Sequence, residues 1–82
     1  MKIRYFAWLK NITNIESEEI SNKNISDIKS LKKYLCQKYP KFEDYLIKDQ
    51  VIRLAVNLEY TTTNVKISNK DEIALFPPVS GG

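Results

Sequence analysis

The sequence predicts a small two-layer α+β domain in which one amphipathic helix covers one face of a β-sheet. Two β-type segments precede the helical pattern and further β-type segments follow it, as expected for one helix packed on one sheet. With 82 residues, the chain is long enough for a single hydrophobic core. Its 43% hydrophobic and 28% charged residues are ordinary for a soluble globular domain.

The first predicted strand is residues 2–10, KIRYFAWLK, in which side chains alternate between two faces. The face suited to the core is formed by Ile3, Tyr5, Ala7 and Leu9. The other face carries Lys2, Arg4, Phe6, Trp8 and Lys10. Two aromatic rings are therefore expected on the side of the sheet away from the helix. Residues 15–21 follow a turn at residues 11–14 and are expected to form the return leg of a hairpin.

The helix is predicted to open at Ser26 and Asp27. Ser26 is expected to accept a hydrogen bond from a free backbone N–H of the first turn, and the Asp27 carboxylate lies near the positive end of the helix dipole. Pro40 ends the helix because it cannot continue the hydrogen-bond pattern. The apolar stripe that faces the sheet is formed by Ile28, Leu31, Leu35 and Tyr39.

The segment after the helix is predicted to be a connection over residues 41–50, followed by a strand over residues 51–57. The connection is expected to be a short turn that packs under the end of the helix through Phe42, Tyr45, Leu46 and Ile47. In the strand, alternation points three apolar side chains inward, those of Ile52, Leu54 and Val56.

The last part of the chain is predicted to hold a polar hairpin-like excursion over residues 58–67 and a final strand over residues 72–76. Val65 and Ile67 suggest a short edge strand within the excursion. Residues 68–71 form a turn before the final strand. That strand points Ile73 and Leu75 inward and Ala74 and Phe76 outward.

The simplest arrangement of these elements is the β-grasp fold, with a mixed sheet of four to five strands. In this fold the first and last strands lie side by side and parallel in the centre of the sheet, joined by a right-handed connection. We expect residues 1–76 to form the domain and residues 77–82 to form a flexible tail.

Several function classes are disfavoured by composition. The net charge is +3, but the lysines are scattered without the clustering of a nucleic-acid surface, and no apolar run is long enough to span a membrane. The first residues alternate instead of forming the apolar block of an export signal, so we expect a cytoplasmic protein. With no histidine and one cysteine, neither a metal site nor an internal disulfide is expected.

The chain also contains few side chains that could act in catalysis, so it is not expected to be an enzyme on its own. Cys36 lies at the edge of the apolar stripe and is expected to be a small buried hydrophobic residue instead of a reactive thiol. The chain has no glycine-rich phosphate loop ahead of its helix.

The remaining candidate for chemistry is the C-terminal stretch FPPVSGG. Pro77 and Pro78 favour an extended exit from the sheet, whereas Gly81 and Gly82 are the only glycines of the chain and make its tip slender. Such an end suits threading into a partner's active site and presenting the terminal carboxylate. The alternative is that the two glycines are merely a frayed end.

The sequence resembles the small, sulfur-carrying subunit of molybdopterin synthase, a ubiquitin-like β-grasp family. The resemblance rests on FPPVSGG, the preceding DEIAL, the N-terminal YFAWLK and the AVN of residues 55–57. It implies that an E1-like enzyme uses ATP to adenylate Gly82, that a sulfur donor converts the adenylate to a thiocarboxylate, and that sulfur passes to a pyranopterin precursor in the large subunit. It implies no permanently bound cofactor and no metal.

The resemblance and the face assignment together predict a partner interface at Phe6, Trp8, Tyr60, Phe76, Pro77 and Pro78. In the family, apolar residues matching Phe6, Tyr60 and Phe76 contact both the large subunit and the activating enzyme. The alternative is that the excursion over residues 58–67 covers these rings. Two other functions stay open: a sulfur carrier for another pathway, such as thiamine biosynthesis, and a β-grasp binding module whose terminus is inert.

Overall fold

The computed structural model describes residues 1–78 and contains a five-stranded sheet in the order β2-β1-β5-β3-β4. Strands β1 and β5 lie side by side and parallel, and the other neighbouring pairs are antiparallel. The predicted α+β class and β-grasp arrangement are therefore confirmed. In chain order the elements are β1 (Lys2–Tyr5), α1 (Leu9–Thr13), β2 (Ser17–Glu19), α2 (Ile28–Lys38), a π-helical segment (Asp44–Lys48), β3 (Arg53–Val56), β4 (Glu59–Thr61) and β5 (Glu72–Phe76).

The core lies between α2 and one face of the sheet, here called the helix face. Ile3 and Tyr5 of β1 and Ile73 and Leu75 of β5 are buried there, as the alternation of both strands predicts. The helix contributes the predicted stripe through Ile28, Leu31 and Leu35, with Tyr39 partly buried beside it. Burial of these side chains is the main favourable contribution to folding.

The start of α2 differs from the prediction by one residue, because Asp27 and not Ser26 caps the helix. The Asp27 carboxylate accepts a hydrogen bond from the Ser30 backbone N–H at 2.8 Å, and the Ser30 hydroxyl accepts one from the Asp27 N–H at 3.1 Å. Asp27 has extended backbone angles, so the helical conformation begins only at Ile28. This reciprocal capping box satisfies donors at both ends of the first turn.

The first strand is shorter than predicted, ending at Tyr5 and not at Lys10. The Phe6 N–H still donates to the Leu75 carbonyl at 3.0 Å, but the next bond of a parallel ladder would need an N–H on Pro77, which has none. Ala7 then turns the chain with a φ of 54° and is exposed, so its predicted core position is wrong. Leu9 is buried as expected, but it reaches the core from α1.

Two other expectations about the connections are corrected. Val65 and Ile67 form no edge strand, because the Val65 carbonyl accepts from the Ile28 N–H and the Ile67 N–H donates to the Ser26 carbonyl, which ties this segment to the start of α2. The edge strand is β4 instead, and it follows a tight turn after β3. Within the connection over residues 41–50, Phe42 and Leu46 are buried as predicted, whereas Ile47 is exposed.

Candidate docking face

The face of the sheet away from α2, here called the open face, carries a row of side chains that crosses four strands. Strand register places Arg4 beside Ala74, Ala74 beside Ala55, and Ala55 beside Tyr60. Of the two alanines in the middle of the row, Ala55 is buried and Ala74 is partly exposed, so a shallow strip lies over Ala74.

Three aromatic side chains on the open face, Phe6, Tyr60 and Phe76, are here called the aromatic patch. The Tyr60 ring reaches across the small Ala55 and meets the Phe76 ring edge-on, with ring centroids 5.3 Å apart. Phe6 continues the register of β1 beside Phe76. Tyr60 is 62% exposed and Phe6 is 45% exposed, so the hairpin that contains Tyr60 does not bury the patch.

Trp8 lies outside the aromatic patch, which corrects the prediction that it shares a strand face with Phe6. Because β1 ends at Tyr5 and the chain turns at Ala7, the Trp8 ring packs edge-on against Tyr45, with centroids 5.0 Å apart. Tyr45 belongs to the π-helical segment after α2. A docking role of Trp8 stays a prediction, and it would involve a different part of the surface.

Strand β5 ends next to the aromatic patch. Phe76 is the last strand residue, Pro77 is half-buried and Pro78 is exposed. Gly81 and Gly82, the predicted chemical end of the chain, lie outside the described residues. The charged residues nearest in register are Arg53, which is paired with Phe76, and Arg4, which forms an ion pair with Glu72 at 3.8 Å. The exit point is therefore apolar with a polar, charged rim.

The helix face contains a carboxylate whose role the sequence interpretation missed, that of Glu18. Strand register pairs Glu18 with Ile3, so its side chain points toward the helix although β2 is an edge strand. The carboxylate accepts hydrogen bonds from the hydroxyls of Tyr5 and Tyr39, each at 2.6 Å, and from the Lys38 ammonium group. These four residues, here called the Glu18 cluster, join β2, β1 and the end of α2.

Electrostatics favour the ionised form of Glu18. Burial opposes ionisation, but the hydrogen bonds from Lys38, Tyr39 and Tyr5 outweigh it and lower the pKa of the carboxyl. Burial together with the hydrogen bond to Glu18 raises the pKa of Tyr5, and the hydrogen bond to Glu18 raises the pKa of Lys38. The cluster is internally satisfied and distant in the sheet order from Tyr60, so it stabilises the fold and presents no open site. The signal in the sequence was the spacing of Glu18 two residues before the apolar Ile20.

Cys36 is half-buried and packs against the core, as the sequence predicted. Burial and the nearby Glu43 charge raise the pKa of its thiol, which disfavours the reactive thiolate. Within residues 1–78, no cluster of histidine, cysteine and carboxylate side chains has an arrangement that would hold a metal ion. No helix in this part of the chain is both long and apolar enough to cross a membrane.

Comparisons with known proteins match this fold along the whole chain. The ThiS family profile matches residues 3–82. The molybdopterin synthase sulfur carrier subunit of Arabidopsis thaliana is 30% identical over 82 residues, covering 100% of this chain and 82% of that protein.

Two solved structures share the architecture. A putative molybdopterin converting factor subunit 1 from Pyrococcus furiosus superposes with a TM-score of 0.81 at 25% identity, covering 95% of each chain. A complex of subunits 1 and 2 of the molybdopterin-converting factor from Helicobacter pylori contains a chain that superposes with a TM-score of 0.65 at 26% identity, covering 99% of this chain and 96% of that one.

Proposed function

The chain belongs to the ThiS family, and from that premise we propose that it is the sulfur carrier subunit of a molybdopterin synthase. The observation that carries the proposal is the aromatic patch at the point where the chain leaves β5. A docking surface at the root of the terminal segment allows a partner to hold the domain while the last residues enter its active site. The names of the similar proteins support this function.

The chemistry we propose takes place on the terminal carboxylate of Gly82. An E1-like enzyme binds the carrier, and a carboxylate oxygen attacks the α-phosphorus of ATP, so that pyrophosphate leaves and an acyl-adenylate forms. Sulfur that a donor delivers at the oxidation level of hydrosulfide then attacks the acyl carbon, the C–O bond to AMP breaks, and a thiocarboxylate and AMP result. The domain itself supplies no acid, base or nucleophile to these steps. Its part is to be recognised and to place the terminus.

Recognition by the partners is assigned to the aromatic patch, together with Pro77 and Pro78. Aromatic side chains are enriched at the energetically important centres of interfaces because they bury a large area with few rotatable bonds. The shallow strip over Ala74 gives a partner side chain room between Arg4 and the Tyr60 ring. Arg4 and Arg53 form the polar rim that such a centre usually has. The partner proposed for this face is the large subunit, and the activating enzyme uses the same face at a different stage.

Intact-mass spectrometry tests the sulfur carrier function. The full chain is incubated with ATP, an E1-like activating enzyme and a sulfur donor. We expect a mass increase equal to the replacement of one oxygen by sulfur, and fragmentation should locate it at Gly82. A chain extended by one residue after Gly82 is the matched control and should not be charged. The proposal is wrong if a control carrier is charged under the same conditions and this chain is not.

The choice of pathway needs a second step, because carriers of different pathways share the thiocarboxylate. The charged chain is mixed either with a molybdopterin synthase large subunit and its pyranopterin precursor or with a thiazole-forming synthase and its substrates. We expect sulfur to transfer only in the first mixture. Transfer only in the second would assign the chain to thiamine biosynthesis and leave the carrier chemistry intact.

A further inference from the structure

A second concave site lies at the other side of the sheet, between the start of α2, the π-helical segment and the β3–β4 hairpin. It is a cavity of about 390 Å³. Its floor is apolar: the exposed side chain of Ile47 lies beside the edges of four core side chains, those of Ile28, Leu46, Ile52 and Leu54. A cavity of this size and composition is in the range that holds small organic ligands.

The rim of this cavity carries two positive charges, those of Lys29 and Lys32, and the site is here called the basic cavity. Lys29 and Lys32 are three residues apart on α2 and so lie on one face of the helix. No Asp or Glu lines the cavity, and neither lysine forms an ion pair within residues 1–78. Asp27 precedes Lys29 at the start of α2, and its carboxylate accepts hydrogen bonds from the Ser30 N–H and the Asn64 side-chain amide.

The basic cavity also has neutral hydrogen-bond donors at its rim. Within the described residues, the side chains of Gln50 and Thr62 have no protein partner, whereas the Thr61 hydroxyl donates to the Thr63 carbonyl. Gln50 and Thr62 are exposed, so a ligand can replace the water that they bind. Cations beside free donors and an apolar floor form a combination that recognises an anionic group attached to an apolar body.

We propose that the basic cavity binds a small organic phosphate. Lys29 and Lys32 act as point charges that attract the phosphate oxygens. The apolar floor takes the body of the ligand and distinguishes it from inorganic phosphate. This site is separate from the terminal carboxylate and does not depend on the sulfur carrier function.

The test is an NMR titration of the ¹⁵N-labelled full chain with adenosine 5′-monophosphate as the probe, alongside adenosine and inorganic phosphate. We expect saturable amide shifts at Lys29, Lys32 and residues 61–63 with the nucleotide, and weaker binding of the two fragments. The double variant Lys29→Gln/Lys32→Gln should weaken nucleotide binding about tenfold, since each lost charge pair near the surface contributes modestly. The matched control is Lys23→Gln/Lys70→Gln, which changes the net charge equally at loop lysines outside the cavity.

Each outcome decides the proposal. It is overturned if the nucleotide causes no saturable shift, if the shifts map elsewhere, or if both double variants weaken binding equally. Equal binding of inorganic phosphate and nucleotide would contradict the role of the apolar floor. Gln is a good helix former at both helix positions, and the ¹⁵N spectrum of each variant verifies its fold. The variants leave the aromatic patch unchanged, so the two proposals can fail separately. The charging assay on Gly82 can succeed while the nucleotide does not bind, and the nucleotide can bind while Gly82 is not charged.

Discussion

The two faces of the sheet carry alternate residues of the same strands, which are buried on the helix face and partly exposed on the open face. On the helix face, Tyr5 and Leu75 are buried, and the carboxylate of Glu18 is satisfied by three donors. On the open face, the neighbours of these residues, Phe6 and Phe76, stay partly exposed beside the shallow strip over Ala74. Adjacent residues of one strand therefore serve stability and recognition separately. Substitutions on the helix face should change the free energy of unfolding, and substitutions on the open face should change partner binding.

The largest expected effect is that of Leu75→Ala on the helix face. Leu75 has no exposed surface, so its truncation leaves a cavity in the core and should lower the free energy of unfolding by about 2–5 kcal/mol. Urea denaturation followed by circular dichroism measures this loss. A loss below about 1 kcal/mol would show that the core relaxes to fill the space that Leu75 leaves. That result would contradict close packing on the helix face.

The next effect concerns the Glu18 cluster. Glu18→Gln removes the charge that Lys38 pairs with and leaves poorer partners for two tyrosine hydroxyls, so we expect a loss of about 1–2 kcal/mol at pH 7. Only 11% of the Glu18 side chain is exposed, compared with 77% for its neighbour Glu19. Glu19→Gln is the control on the other face of β2. It removes a long, 3.8 Å ion pair between an exposed carboxylate and the N-terminal ammonium group, so it should change stability by less than about 1 kcal/mol.

The same pair of variants gives a pH dependence. The folded protein lowers the pKa of Glu18 below its ordinary value of 4.5, so the stabilisation is complete above that value. It is lost as the pH falls through the lower pKa of the folded state. Unfolding measured between neutral and strongly acidic pH should therefore show the gap between wild type and Glu18→Gln narrowing only in acid. A gap that widens in acid would contradict the assigned ionisation.

A smaller effect is expected from Phe6→Ala on the open face. Phe6 follows Tyr5 directly, but nearly half of its surface is already in water, so the loss of stability should stay below about 1 kcal/mol. Thermal unfolding of Phe6→Ala beside Leu75→Ala makes the comparison between the two faces quantitative. Comparable losses for the two variants would mean that the open face also belongs to the core.

The smallest effect is a gain in stability from Leu58→Gly in the turn between β3 and β4. Leu58 has a φ of 71° and is 89% exposed, so it is held in the left-handed region without burying its side chain. Glycine relieves this strain, but it also increases the entropy of the unfolded chain, which leaves a net gain of about 0.5 kcal/mol. A loss in chemical denaturation would show that the Leu58 side chain makes contacts that stabilise the fold.

The helix, the central parallel pair of first and last strands and the outward side chain of Phe76 could be predicted because each depends on a local pattern or on simple connectivity. The end of β1 could not be predicted, because the alternation of side chains continues through Trp8. The strand ends early since the next hydrogen bond of the ladder would need an N–H on Pro77, which lies far along the sequence. The position of Trp8 against Tyr45 follows from that early end.

Glu18 was missed for a related reason. A glutamate in a short polar strand is usually exposed, and nothing local shows that Lys38 and two tyrosines converge on it. Ser26 and Asp27 are both good helix caps, and only the backbone conformation selects Asp27.

If the helix face serves stability and the open face serves partner binding, isothermal titration with the large subunit should separate their effects. Wild type, Tyr60→Ala and Glu18→Gln are titrated under identical conditions at pH 7. We expect Tyr60→Ala to weaken binding about 30-fold or more, as loss of an aromatic anchor does, and Glu18→Gln to bind within about twofold of wild type. Unchanged binding of Tyr60→Ala, or an equal loss in both variants, would contradict this expectation.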